Sequence, residues 1–346
     1  MTSLMRAEIG EQPDALRRTI DALLPRTPDI GALAKETRQV LFIARGSSDN
    51  AAVYGRYLVE SHTGRLSTLA APSIATTYRR RLDLSGVLAV AISQSGKTEE
   101  IVETLDWAAD CGARTVAVTN GAGSPLAEAA EVALITRAGD EVAVPATKTY
   151  TTQLAALAVL GLGLGADVSA DELRRVPDEV ARLIALTEES AALPEIVEEL
   201  AKVPGAVVSG RGIAFGTALE LALKIKEACY LHAMGLSYAD LLHGPIAVVD
   251  AQTPALLVAA DSGPTLAGTV ALARRVESAG AHAFGIGGGA ELAAASSAAL
   301  PGPGLPEWVA PLGLIVPGQL LVENLARRLG VDPDVPRGLN KVTQTD

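Results

Sequence analysis

The sequence predicts an α/β protein built from two tandem copies of one unit, each a parallel sheet flanked by helices. Three observations predict it. Short apolar runs alternate with helical patterns along the chain. Each main run ends in a turn rich in glycine or hydroxyl side chains. The same succession of elements returns about 165 to 168 residues later, with almost no slip of register.

Taken in order, residues 1–38 read as two helices interrupted by Leu24-Pro25-Arg26-Thr27-Pro28. The first copy covers 39–166. Its strand 40–44 leads into Arg45-Gly46-Ser47-Ser48-Asp49-Asn50 and a helix over 51–61. The run 87–92 has the length and flanks of a buried parallel strand. It is followed by Ser93-Gln94-Ser95-Gly96-Lys97-Thr98 and by helical spacing through Ile101, Val102 and Leu105. Strands at 115–118 and, more weakly, 132–136 come next, and a helix over 147–161 closes this half. Residues 167–203 are charged, carry Pro177 and Pro194, and have helical spacing, which makes them a helical connector.

The second copy covers 204–331. Strand 206–209 with Gly210-Arg211-Gly212 parallels 40–44 with Arg45-Gly46-Ser47. Strand 255–260 with Ser262-Gly263-Pro264-Thr265 parallels the run ending in Ser95-Gly96-Lys97-Thr98. Ala279-Gly280-Ala281, ahead of a run to Ile286, parallels Cys111-Gly112-Ala113 ahead of 115–118. The tail 332–346 has prolines and no periodicity, and by composition alone it is expected to fray.

Composition narrows the function classes. The chain has 346 residues, is 49% hydrophobic and 20% charged, and so can fill two cores. A net charge of -11 argues against nucleic acid or an anionic membrane as partner. An anionic small substrate then requires a locally positive pocket on this acidic protein. The two cysteines, Cys111 and Cys229, have no metal or disulfide spacing, which suits a reducing cytoplasm. No apolar signal core opens the chain, and the apolar stretch 154–166 is too short to span a bilayer. No histidine grouping suggests a metal and no G-x-S-x-G elbow suggests a hydrolase, so neither metal nor cofactor is expected.

The turn 93–98 sits where a strand hands over to a helix, so unpaired N–H groups and the positive end of the helix dipole face it. Ser93, Ser95 and Thr98 add hydroxyls, and Gly96 permits close backbone approach. These are parts of a phosphate cradle, although the spacing is not that of a nucleotide P-loop. A plain helix cap is the alternative reading. In the second copy Asp261 and Pro264 replace Gln94 and Lys97, so phosphate is expected in the first copy only.

The helix after Gly212 carries Glu220, Lys224 and Glu227 on one face. Solvent-facing ladders have this spacing. Here the neighbours Leu219, Leu221, Ala222, Leu223, Ile225 and Ala228 are apolar on nearly every side, which places the charges in a largely buried helix. A buried carboxylate beside a lysine is costly and often marks a site. Downstream, His243 ends a helical segment just before Gly244-Pro245, where an imidazole can project into a cleft or serve the structure alone.

Five segments occur together: S-Q-S-G-K-T (93–98), T-R-A-G-D-E-V-A-V-P-A-T-K-T-Y-T-T-Q-L (136–154), E-L-A-L-K-I-K-E (220–227), L-L-H-G-P (241–245) and P-R-G-L-N-K-V-T (336–343). In this order they resemble the double sugar-isomerase (SIS) domain family, closely the isomerase half of glucosamine-6-phosphate synthases, over nearly the whole chain. The resemblance implies two tandem flavodoxin-like three-layer sandwiches and a cytoplasmic homodimer acting on a sugar 6-phosphate. It implies that Ser48, Ser93, Gln94, Ser95 and Thr98 hold the phosphate and that Val144, Ala146 and Glu220 lie at the sugar. Glu227 would be the base at carbon 2, with Lys224 beside it. His243 would open the ring from the partner subunit. Lys341, in the tail that composition leaves frayed, would fold over the site and act at carbon 1.

Departures from the synthase matter as much. Thr2 stands where the synthase's glutamine-hydrolysing domain has its cysteine, and the SIS segment begins by about residue 40. The chain is therefore expected to lack that ammonia supply. Ala146 replaces a serine, which makes that corner roomier and less polar and leaves space for an N-acyl group. Arg45 and Lys97 replace a cysteine and an acidic residue; they add positive charge near the turn or project to solvent. The leading expectation is a glucosamine-6-phosphate deaminase/isomerase. One alternative is a dehydratase of N-acetylglucosamine 6-phosphate, a lyase like the related N-acetylmuramic acid 6-phosphate etherases. Another is a non-catalytic phosphosugar sensor.

Overall fold

Leu24-Pro25 breaks the N-terminal helical region, and the break comes between the second and third of three helices: α1 (Leu4–Gly10), α2 (Gln12–Leu23) and α3 (Thr27–Ala34). The computed structural model describes residues 2–341. The first sheet unit then runs β1 (Gln39–Ile43), α4 (Ser47–Thr63), β2 (Leu66–Leu69), α5 (Ser73–Thr76), β3 (Val87–Ile92), α6 (Glu99–Asp110), β4 (Arg114–Thr119), α7 (Pro125–Ala129), β5 (Val132–Ile135) and α8 (Lys148–Gly163). Two helices follow, α9 (Ala170–Glu189) and α10 (Ala192–Leu200). The second sheet unit runs β6 (Gly205–Gly210), α11 (Phe215–Cys229), β7 (His232–Ser237), α12 (Tyr238–Leu242), β8 (Ala255–Ala259), α13 (Leu266–Ser278), β9 (Ala283–Gly287), α14 (Gly289–Ala293), β10 (Ala298–Leu300) and α15 (Pro311–Arg328).

The expected duplication is present in the topology. The first sheet is ordered β2-β1-β3-β4-β5 and the second β10-β9-β8-β6-β7, which is the same order read from the other edge. All the strand pairs within both sheets are parallel. Matched strands start 166 to 169 residues apart. In each copy the order reverses between the first and third strands, the place where ligands gather at the strand ends of an open α/β sheet.

Burial explains which elements the amino-acid pattern announces. All residues of β3 and β8 are buried, as central strands covered on both faces require. The strands that the pattern does not announce, β2, β7 and β10, all include half-buried or exposed positions, and all lie at sheet edges. Helices α8 and α15 are apolar nearly all round and buried along almost their whole length, each serving as the core helix of its copy. Helix α4 packs on α8, and α11 packs on α15.

By internal contacts the chain forms two compact units. One comprises Asp14–Glu141 and Lys148–Arg174 together with Asn340 and Lys341. The other comprises the residues before Asp14, Val142–Thr147 and Arg175–Leu339.

Candidate active site

In the first copy, the turns after β1 and β3 stand on neighbouring strands, with Ile43 in register with Ala91. Ser93 is buried, Gln94, Ser95 and Thr98 are half-buried, and Lys97 is exposed. The turn is pinned from outside. Ser93 N–H donates to the Val118 carbonyl at 3.1 Å, and the Gln94 and Gly96 carbonyls accept from Asn120 at 3.0 Å and Leu126 at 3.1 Å. Gly96 has φ +64, and a Cβ there would lie 2.1 Å from Ser124 Oγ, so no other residue fits. Thr98 occupies the N-cap of α6 in extended backbone, yet its hydroxyl makes no capping bond. The usual side-chain cap is thus absent at the start of α6, where the helix dipole is positive.

Ser48, the second residue of α4, is buried and its Oγ accepts from Gln153 Nε2 at 3.0 Å. Sequence reasoning assigned no role to Gln153; its signal was an amide at the point where the hydroxyl-rich first turns of α8 give way to an apolar run. Arg45 does not project freely: its guanidinium makes a bidentate pair with Glu100 at 2.9 and 2.8 Å. Burial pushes the Asp49 carboxyl above its ordinary value, partly opposed by Arg45.

In the second copy, α11 carries its charges inward as expected. Glu220 and Lys224 are buried, and the Glu227 side chain is 23% exposed. Lys224 Nζ donates to Glu227 Oε2 and lies 3.5 Å from Glu220 Oε1. One ammonium thus serves two carboxylates on successive turns of one helix face. Buried charge is tolerated only when paired. Of this row, Glu227 is the carboxylate that solvent, or a substrate, can reach. His243 is the C-cap of α12, exposed, and followed by Gly244 at φ +131.

The tail is not frayed where it is described, which corrects the expectation from composition. The Asp334 carboxylate accepts from the N–H groups of Leu4 and Met5 at 2.8 and 2.7 Å, capping α1. Its carbonyl accepts from Val144 N–H at 2.9 Å. Arg337 N–H donates to the Tyr230 hydroxyl at 2.7 Å, and the Arg337 guanidinium lies 4.3 Å from the Tyr230 ring centroid. Lys341 Nζ reaches Glu141 Oε2 at 2.7 Å. The remaining tail, 342–346, lies outside the described residues.

The segment carrying Val144 and Ala146 is held by buried polar groups. Glu8 accepts from Val142 N–H, and Gln319 donates to the Thr147 carbonyl at 3.4 Å while accepting from Gln12 at 2.9 Å. Val144 and Ala146 are both half-buried.

The corresponding turn of the second copy is filled by the protein itself. Glu307 Oε1 accepts from Thr265 Oγ1 at 3.3 Å, and a Cβ on Gly263 would meet the Glu307 carboxylate at 2.7 Å. The Asp261 carboxylate accepts from Gly289 N–H at 3.0 Å; burial pushes it above its ordinary value, opposed by that bond and by Arg182. Among the described residues no group of three or more acidic, histidine or cysteine side chains is placed to hold a metal, and no helix is long and apolar enough to cross a membrane.

Comparison with known proteins places this geometry among relatives. Residues 32–162 match the SIS domain. The glutamine–fructose-6-phosphate aminotransferase (isomerizing) of Pyrococcus horikoshii is 34% identical over 343 residues, covering 97% of this chain and 57% of that protein. The chain thus spans a little over half the length of this relative. A Silicibacter pomeroyi protein provisionally described as a phosphosugar isomerase is 33% identical with a TM-score of 0.88, covering 96% of this chain and 100% of that one. The C-terminal domain of glucosamine-fructose-6-phosphate aminotransferase from Francisella tularensis is 27% identical with a TM-score of 0.88, covering 97% and 99%.

Proposed function

We propose a function that starts from family membership: this chain belongs to the SIS-domain family. It acts on an amino-sugar 6-phosphate as a deaminase/isomerase, converting glucosamine 6-phosphate and water to fructose 6-phosphate and ammonia. The observation that carries this reading is the buried Glu220–Lys224–Glu227 row, in which Glu227 alone combines a cationic neighbour with access to the surface.

A proton alpha to a carbonyl is removable when the charge that develops is stabilised. Glu227 takes the carbon-2 proton of the open-chain sugar, forming an enolamine, and returns it to carbon 1. The resulting carbon-2 imine is hydrolysed by water, releasing ammonia and leaving the ketone. The Lys224 ammonium stabilises negative charge beside the base, and Lys341 acts at carbon 1. His243, supplied by a partner subunit in a homodimer, opens the ring. Ser48, Ser93, Gln94, Ser95 and Thr98, with the N–H groups of α6, hold the phosphate. Backbone at Val144, with Ala146 and Glu220, faces the sugar. Gripping a group remote from the reacting carbons lets binding energy position them.

Ala146 favours a second reading, since a methyl where a hydroxyl would stand leaves room for an N-acetyl group. With that substrate the same base, followed by loss of the carbon-3 hydroxyl, gives dehydration. Incubation with glucosamine 6-phosphate and N-acetylglucosamine 6-phosphate in separate reactions decides between them. Ammonia and fructose 6-phosphate from the first are expected. An ultraviolet-absorbing unsaturated product from the second, with no ammonia from the first, overturns the deaminase in favour of the lyase. Sugar-phosphate binding without turnover of either identifies a sensor.

A further inference from the structure

We propose that Glu141 is the positioning residue for Lys341, a preformed anion that sets where the terminal segment's ammonium stands; this rests on the reading that Lys341 acts at carbon 1. Glu141 lies seven residues before α8, and its side chain is fully buried. Oε1 accepts from Thr149 N–H at 3.0 Å, and Oε2 accepts from the Thr149 hydroxyl and from Lys341 Nζ at 2.7 Å. Thr149 is the second residue of the 16-residue α8, so the carboxylate is held against a helix N-terminus whose dipole favours negative charge. Burial alone would raise this carboxyl, but the Lys341 ammonium and the two Thr149 donors outweigh it and hold it below its ordinary value.

Stability is a poor reason for such a pair. Desolvating two charges offsets most of their attraction, and an apolar pair of similar volume holds a fold as well. Position is a better reason. Lys341 lies outside any helix or strand, and a lysine side chain is long and rotamer-rich. A carboxylate fixed from the helix side removes that freedom at the Nζ atom. A displacement of about 1 Å of a catalytic group can cost on the order of 100-fold in rate.

The test compares wild type, E141Q, K341M and the double variant, with T149V as a milder companion that removes the hydroxyl donor and keeps the backbone one. Initial rates with glucosamine 6-phosphate are read together with the rate at which an amine-reactive ester labels Lys341, followed by mass spectrometry. E141Q is expected to lower kcat roughly 10- to 100-fold with KM changed by less than about threefold, T149V less so, and Lys341 to label several times faster. The double variant is expected to be no slower than K341M. An equal further loss on adding E141Q to K341M, or unchanged labelling in E141Q, overturns the proposal. If wild type does not turn over the sugar phosphate, the functional reading fails, and labelling alone then judges the positioning. If E141Q does not fold, T149V carries the same comparison.

Discussion

The two copies share one topology and have kept different chemistry. The turn Ser93-Gln94-Ser95-Gly96-Lys97-Thr98 corresponds residue for residue to Ala260-Asp261-Ser262-Gly263-Pro264-Thr265. The first leaves the α6 N-cap hydroxyl unengaged in capping, whereas the second has the Glu307 carboxylate seated on it and Asp261 turned to Gly289. The helices after the first strand diverge the opposite way. At the 166-residue offset that relates β1 to β6 and β2 to β7, Tyr54, Leu58 and Ser61 of α4 stand where α11 has Glu220, Lys224 and Glu227. In the proposed function one copy keeps the anion site and the other the base. A duplicated fold can divide labour in this way because strand order and core helices do not depend on the residues at the strand ends.

The comparison can be broken or sharpened by substitution. The largest effect is expected from K224M, which strips two carboxylates of their shared cation. Urea unfolding should report a loss of about 3–5 kcal/mol, because an unpaired buried charge is far costlier than a pair. Unchanged stability would mean that the row in α11 is not held by its lysine. Next, S95A and T98A should each weaken phosphate binding by roughly 1–3 kcal/mol in calorimetry, the worth of a charge-assisted hydrogen bond. Equal affinity in both variants would remove the first copy's turn as the anion site.

A smaller effect is expected from pH. The Glu141 carboxyl is held below its ordinary value of 4.5, so its ionised form contributes stability fully above 4.5 and loses it as the pH falls through the lower folded value. The stability gap between wild type and E141Q should therefore shrink between about pH 7 and about pH 3. A gap constant over that range contradicts the assignment. The smallest effect is expected from E307Q. Phosphate stoichiometry should stay at one per chain, and stability should fall by about 1 kcal/mol or less, since the amide keeps an acceptor for Thr265 and gives up only its charge. A second phosphate bound with equal affinity would erase the distinction between the copies.

How much was legible in the sequence depended on burial. Strand β3 was placed to the residue because all six positions are apolar, and the α11 row was read as buried because its neighbours are apolar on nearly every side. Edge strands β2, β7 and β10 escaped because an edge needs less apolar sequence, as His232 and Gly235 in β7 illustrate. The tail escaped local reasoning for another cause. Its anchors are Asp334 on the α1 N-terminus and Arg337 on Tyr230, contacts more than a hundred residues away in sequence that leave no periodicity. Gln153 and Thr149 were missed likewise, since each acts through one partner, Ser48 or Glu141.

The central claim is that Glu227 removes the carbon-2 proton. Glucosamine 6-phosphate deuterated at carbon 2 tests it most directly, with loss of label from carbon 2, to carbon 1 of the product or to solvent, followed by proton and deuterium resonance for wild type and E227Q. The account predicts loss of the carbon-2 label with wild type, and with E227Q, at near-equal substrate affinity, loss slower by about 1,000-fold or more. Loss of the label with E227Q at the wild-type rate would contradict it.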